Sequence, residues 1–164
     1  MFFPHRLKIL KTMGKLDQLA VQIRKLKVDD KSEWAALWQK YLEFYETELP
    51  DEVYDSSFTR MLSDSDNEFH GMVAENDGEL IGLVHYLFHR HGWKIENVCY
   101  LQDLYVSEAA RGTGAGRALI EAVYAEADKI GSPTVYWLTQ DFNATARRLY
   151  DRIASVTPFI KYTR

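Results

Sequence analysis

Residues 106–119, VSEAARGTGAGRAL, constrain the fold more than any other stretch of the chain. A β-branched and aromatic strand ends at Val106, three glycines follow at alternate positions (Gly112, Gly114 and Gly116), and a helix begins. Glycine takes backbone conformations closed to other residues and lets a ligand approach the main chain. The first N–H groups of a helix have no partner within it, and the helix dipole adds partial positive charge there. A chain that delivers a strand into such a helix start builds an α/β unit with an anion site suited to phosphate oxygens. Two common phosphate loops do not fit. No Gly-Lys-Ser/Thr follows, and G-x-G-x-G is not the dinucleotide spacing. A glycine-rich loop also serves as a plain tight turn between strand and helix, and on this stretch alone both readings stay open.

The elements around the loop follow from periodicity. Residues 20–27 fit a short strand. Ser32 or Asp30 can cap a helix that runs to about Tyr45, on which Trp34, Leu37, Trp38, Tyr41, Phe44 and Tyr45 recur as a core face. Residues 51–62 read as a second short helix. Residues 69–75 and 80–90 read as strands joined by Asn76-Asp77-Gly78, which tolerate the positive φ of a hairpin turn. In the strand over 98–106, alternation sets Val98, Tyr100 and Gln102 on one side and Cys99, Leu101 and Asp103 on the other. A helix over 118–130 stops at Gly131 and Pro133. A strand over 134–138, a helix over 143–153 and a final strand over 156–162 complete the order, with Pro158 marking an edge or bulge. Hairpins come first and crossovers later. The expectation is one α/β domain over 20–164, a mixed twisted sheet, antiparallel then parallel, with helices on both faces.

Composition supports that size and narrows the partners. A chain of 164 residues, 46% hydrophobic and 27% charged, is enough for one buried core. A net charge of −4 argues against nucleic acid as the partner. No apolar run of ~18 residues predicts a membrane span. Residues 1–19 are basic but lack an apolar signal core and a cleavage site, so they read as a disordered extension, with Met13 as an alternative start. The single cysteine, Cys99, forbids an intrachain disulfide and suits a reducing, cytoplasmic setting. Its place in a strand reads as a small buried apolar residue rather than a nucleophile.

Arg111-x-x-Gly114-x-Gly116, directly after Leu101-x-x-Leu104-x-Val106, is followed by Asn143-x-x-Ala146-x-x-x-Tyr150 on the next strand–helix unit. Together these resemble the two signatures of the GNAT superfamily of N-acetyltransferases. Residues 100–106, YLQDLYV, and 135–137, VYW, are similar to its histone and polyamine branch and to neighbours acting on free amino acids. The resemblance implies a single-domain GNAT-type fold with a splayed parallel strand pair at the acetyl-CoA site. It implies acetyl-CoA as co-substrate, no metal, and transfer to a primary amine: a polyamine, an amino acid or a lysine-rich protein tail. It also implies a homodimer.

Residue by residue, the resemblance assigns the pyrophosphate to Arg111 and the main chain of Gly112, Thr113, Gly114, Ala115, Gly116 and Arg117. The main chain of Leu104, Tyr105 and Val106 would pair with the pantetheine arm, which can mimic a strand. Asn143 and Ala146 would contact the arm from the other side. Tyr150 would protonate the departing thiolate, and the Val106 N–H would hold the oxyanion. Read without the resemblance, Asn143 is also a plain helix N-cap and Tyr150 a core residue.

The proton acceptor is where the likeness is weakest. Polyamine-specific relatives often carry Glu where Gln102 stands, and an amide is no base at neutral pH. Asp103, or Glu43, Glu46 or Glu48 through water, is the alternative, or no base at all for a weakly basic amine. Gln102, Glu43 and Glu46 are assigned to the substrate side. The carboxylates from Glu43 to Asp55 read more simply as a solvated face than as a cation trap. His85, His89 and His91 share strand parity, and a hairpin surface explains them more simply than a metal site does. The sequon Asn143-Ala144-Thr145 reads as chance. The missing Glu also keeps a rival open, a non-catalytic acyl-CoA sensor or docking module on the same fold.

Overall fold

The computed structural model describes residues 21–65 and 67–164; the extension expected over 1–19 lies outside them. Five strands, β1 (Gln22–Lys25), β2 (His70–Asn76), β3 (Glu79–His89), β4 (Val98–Val106) and β5 (Val135–Tyr136), lie side by side in chain order. The pairs from β1 to β4 are antiparallel and β4–β5 is parallel, so the mixed sheet is as expected.

Helices α1 (Lys31–Phe44) and α2 (Asp51–Met61) cover one face, and α3 (Ala115–Lys129) and α4 (Ala144–Ile153) the other. Two apolar cores result. Trp34, Trp38, Leu42 and Phe58 pack with Val73 and Leu83 under α1 and α2. Leu119, Ile120 and Val123 pack with Val84, Tyr86, Cys99 and Leu101 under α3. Spacings of three and four along each helix set these stripes. Asp77 and Gly78 turn the β2–β3 hairpin with φ of 51° and 80°. Arg24 ties β1 to its neighbours, bonding both carboxylate oxygens of Asp30 at 2.7 and 2.9 Å and Glu75 at 2.6 Å.

Several expectations need correction. Helix α3 starts at Ala115 rather than 118, so Ala115, Gly116 and Arg117 form its first turn. Strand β5 pairs only at Val135 and Tyr136, then diverges from β4. Residues 156–162 form no strand: Val156, Phe159, Ile160 and Tyr162 are all exposed. β-Propensity describes fit to a pleated, half-buried surface, and this segment stays exposed although the outer edges of β1 and β5 are open.

The alternation in β4 also breaks. Asp103 stands opposite His85 and Leu101 opposite Tyr86, leaving Gln102 without a partner in a β-bulge. One extra residue reverses the facing of everything after it. Leu101 therefore packs with α3, whereas Asp103 turns to α1. The two do not share a side.

Candidate active site

A cleft of about 530 Å³ opens where β4, α1, α3 and α4 converge. Its outer end is the start of α3. Gly112 and Gly114 have φ of 83° and 89°, and Gly114 is the N-cap with no side chain to close the helix. A Cβ at either glycine would meet nothing within 4 Å, so the requirement is conformational rather than steric. The amides of Ala115, Gly116 and Arg117 occupy the first turn, where no helical acceptor reaches them. No acidic residue stands in that turn. Such an end can hold phosphate oxygens.

The middle of the cleft is the free edge of β4. Beyond Tyr100 that edge has no strand beside it, and Leu104, Tyr105 and Val106 line the opening. An extended, amide-bearing arm fits there as an added strand. Asn143 and Ala146 line the cleft from α4, with the Ala146 N–H donating to Asn143 Oδ1 at 3.3 Å. Asn143 therefore does cap α4.

At the inner end a small recess meets the cleft, and Tyr41, Tyr45, Leu104 and Tyr150 line both. Gln102 and Trp137 complete the recess. The Tyr150 ring packs edge-on against Trp137 at 5.3 Å, and burial pushes its pKa up to about 12. It holds its proton at neutral pH.

Beneath this junction lies a buried polar chain. Asp103 Oδ2 is 2.8 Å from His85 Nδ1, and the Trp34 indole N–H donates to His85 Nε2 at 2.8 Å. Asp103, His85 and Trp34 are 6%, 4% and 0% exposed. Burial first, then the negative charge of Asp103, pushes the Tyr41 pKa far up.

Most residues expected at the site thus come together: Leu104, Tyr105, Val106, Arg111, Gly112, Gly114, Ala115, Gly116, Arg117, Asn143, Ala146 and Tyr150 all line the cleft. Thr113 does not; its hydroxyl donates to Ala110 O at 2.7 Å and braces the loop. Asp103 is buried and lines neither cavity. Glu43 stands on the solvent side of α1, paired with Lys40 at 2.8 Å, and Glu46 is exposed in the following turn. The three histidines do not share one surface: His85 is buried, whereas His89 is bonded to the Tyr136 hydroxyl at 2.9 Å. No cluster suited to a metal ion exists among the described residues. Cys99 is fully buried, and burial pushes its thiol up to about 12.

Sequence reasoning missed Tyr41, Phe44 and Tyr45 as cleft residues and His85 as a buried one. The available signal was Tyr at i and i+4 near the end of the apolar stripe, since a buried phenol needs a partner.

The model of the Acetyltransferase (GNAT) family matches residues 34–154. The D-amino-acid N-acetyltransferase HPA3 of Saccharomyces cerevisiae is 37% identical over 145 residues, covering 88% of this chain and 90% of that one. Among solved structures, a ribosomal-protein-alanine N-acetyltransferase from Brucella melitensis superposes with a TM-score of 0.74 at 24% identity, over 88% of this chain and 98% of that one. The aminoglycoside N-acetyltransferase AAC(6')-Iy, solved in complex with CoA, gives 0.76 at 19% identity, over 88% and 93%.

Proposed function

We propose, for a chain that belongs to the Acetyltransferase (GNAT) family and is an N-acetyltransferase, that it moves the acetyl group of acetyl-CoA onto the amine of a free amino acid. The observation that carries this reading is the meeting of cleft and recess at Tyr41, Tyr45, Leu104 and Tyr150, with a phosphate-type helix start at the far end. Bound there, acetyl-CoA would supply a thioester carbon open to attack. The amides of residues 112–117 would hold its pyrophosphate and the edge of Leu104, Tyr105 and Val106 its arm. A main-chain N–H on that edge would meet the developing oxyanion. Tyr150 would give its proton to the sulfur, and Asp103 would receive the proton of the amine.

The amine class rests on two supports. The recess is walled by aromatic and aliphatic side chains with Gln102, and no carboxylate lines it or the cleft. A polyamine or lysine-rich tail would want such carboxylates to neutralise it, and here Glu43 and Glu46 are exposed and line neither cavity. The 37% identical relative acts on D-amino acids. The exposed apolar side chains of Val156, Phe159, Ile160 and Tyr162 support the homodimer, and the lone buried thiol a cytoplasmic place.

Thiol release from acetyl-CoA across D- and L-amino acids, polyamines and lysine-rich peptides tests this. Turnover is expected with amino acids, and Tyr150→Phe should lower kcat about 100-fold, as loss of a general acid does. Turnover confined to polyamines or peptides would overturn the amino-acid reading.

A further inference from the structure

We propose that Gln102 reads the acceptor: its side-chain amide donates to the α-carboxylate of the amino acid whose amine is acetylated, so that the recess selects amines that carry a carboxylate beside them. This deepens the amino-acid reading and rests on it.

The bulge in β4 places the group. Leu101 stands opposite Tyr86 and Asp103 opposite His85, and Gln102 between them has no partner on β3. Its two neighbours are buried, Leu101 under α3 and Asp103 against His85. Gln102 is exposed and lines the recess. A bulge re-aims one side chain out of the alternation of its strand, and bulges are over-represented beside active sites for that reason. Among the described residues nothing bonds the Gln102 amide, so its two N–H groups are left for a ligand.

The recess around it carries no charge. The other side chains that line it are three phenols, one indole and three leucines. Burial raises the pKa of Tyr41, Tyr45 and Tyr150, so none of the phenols is an anion at neutral pH. The cations Arg111, Arg117 and Arg152 line the cleft and not the recess. Gln102 is thus the one group of the recess that offers two N–H donors on a single atom.

Acceptors differ in what they bring to such a group. A polyamine or a lysine side chain brings further positive charge or a bare alkyl chain, and neither is drawn to an amide donor. A free amino acid brings a carboxylate joined to the carbon that bears its amine. With the amine at the junction of cleft and recess, that carboxylate lies at Gln102. An ionised carboxylate only accepts, and hydrogen bonds to it are shorter and stronger than those to a neutral oxygen. Gln102 is exposed, so the carboxylate it holds keeps part of its water and needs no cation opposite. A glutamate at this position would have the same length and the opposite effect, setting one negative charge against another.

The test compares an amino acid that the native protein acetylates with its own α-carboxamide, which lacks the charge, by kcat/KM at saturating acetyl-CoA. The two acceptors also differ in amine basicity, so the quantity read is the change in their ratio from one protein to the next. The native ratio should favour the amino acid. Gln102→Met keeps the length and removes the donors, and should lower the ratio roughly 10-fold, as loss of a hydrogen bond to a charged group does. Gln102→Glu adds repulsion and should lower it by roughly 100-fold, with a smaller deficit at high salt. The KM for acetyl-CoA should stay within about twofold in both, since the change touches only the acceptor. Both should melt as the native protein does, because the side chain is exposed and unbonded. A native ratio in both variants would overturn the proposal. So would equal losses on the amino acid and its carboxamide, which would put Gln102 at the amine, and so would a native preference for the carboxamide. Turnover confined to polyamines or peptides, or no turnover at all, would instead bring down the amino-acid reading beneath it.

Discussion

Helices α3 and α4 both begin at the mouth of the same cleft, and they begin differently. Helix α4 is closed by its own sequence: Asn143 Oδ1 accepts from the Ala146 N–H, while its Nδ2 donates to Thr139 at 3.3 Å. Helix α3 starts from Gly114 in the left-handed region, with no side-chain cap. One helix start is satisfied from within and the other is left with amides to offer. The difference separates the two motifs. The first leaves main-chain donors without a side-chain cap at the cleft, whereas the second anchors the helix that carries Tyr150 to the junction of the cavities.

The largest effect that would break this comparison is at Gly114. A non-glycine residue in the left-handed region costs about 1–2 kcal/mol, and more when β-branched. Gly114→Val should therefore unseat the first turn and raise the KM for acetyl-CoA tenfold or more, about 1.4 kcal/mol. Initial-rate kinetics check this; a native KM would remove the α3 start from the binding site.

Asn143→Ala should act on stability instead. Loss of an N-cap costs about 1 kcal/mol, which lowers the melting temperature by about 2–4 °C in a chain of this size. The KM for acetyl-CoA should change less than about threefold, about half a decade. A large rise in KM at an unchanged melting temperature would reverse the assignment and make Asn143 a ligand-holding residue.

The smallest effect is on acid. No carboxylate stands in the first turn of either helix, so neither start should respond to pH directly. The acid response should come from Asp30, whose bond to Arg24 holds its carboxyl below the usual range. A depressed carboxyl stabilises the fold fully above its unfolded pKa, about 3.9, and loses that contribution as pH falls through the lower folded value. Asp30→Asn should flatten that part of the melting-temperature profile below about pH 4 and leave kcat at pH 7 unchanged. A native acid limb in this variant would place the response elsewhere.

Much of the fold was legible because its signals are local. The stripe Trp34, Leu37, Trp38, Tyr41 fits a helix wherever the helix docks, though the expected face omitted the buried Leu42 and included the exposed Phe44, and Asp77-Gly78 turns a hairpin whatever it joins. The final strand was not legible in the same way, since 156–162 has strand composition yet lies exposed and unpaired. At the site, most of the loop and the β4 edge were readable as motif. The tyrosines of α1 were not, because an aromatic at helical spacing looks the same whether its hydroxyl ends in core or in a cleft.

By itself, then, the sequence determined the turn at Asp77-Gly78, the cap of α4 and the glycine-rich stretch before α3, though not the residue at which α3 starts. These depend on backbone freedom and on contacts three or four residues apart. The tertiary structure alone decided that Gln102 bulges, that Asp103 consequently turns to α1, and that His85 is buried between Asp103 and Trp34. Those facts depend on register between strands and on a helix packed 51 residues away in the chain. A one-residue shift, which no local pattern records, reverses which face of the sheet a side chain meets.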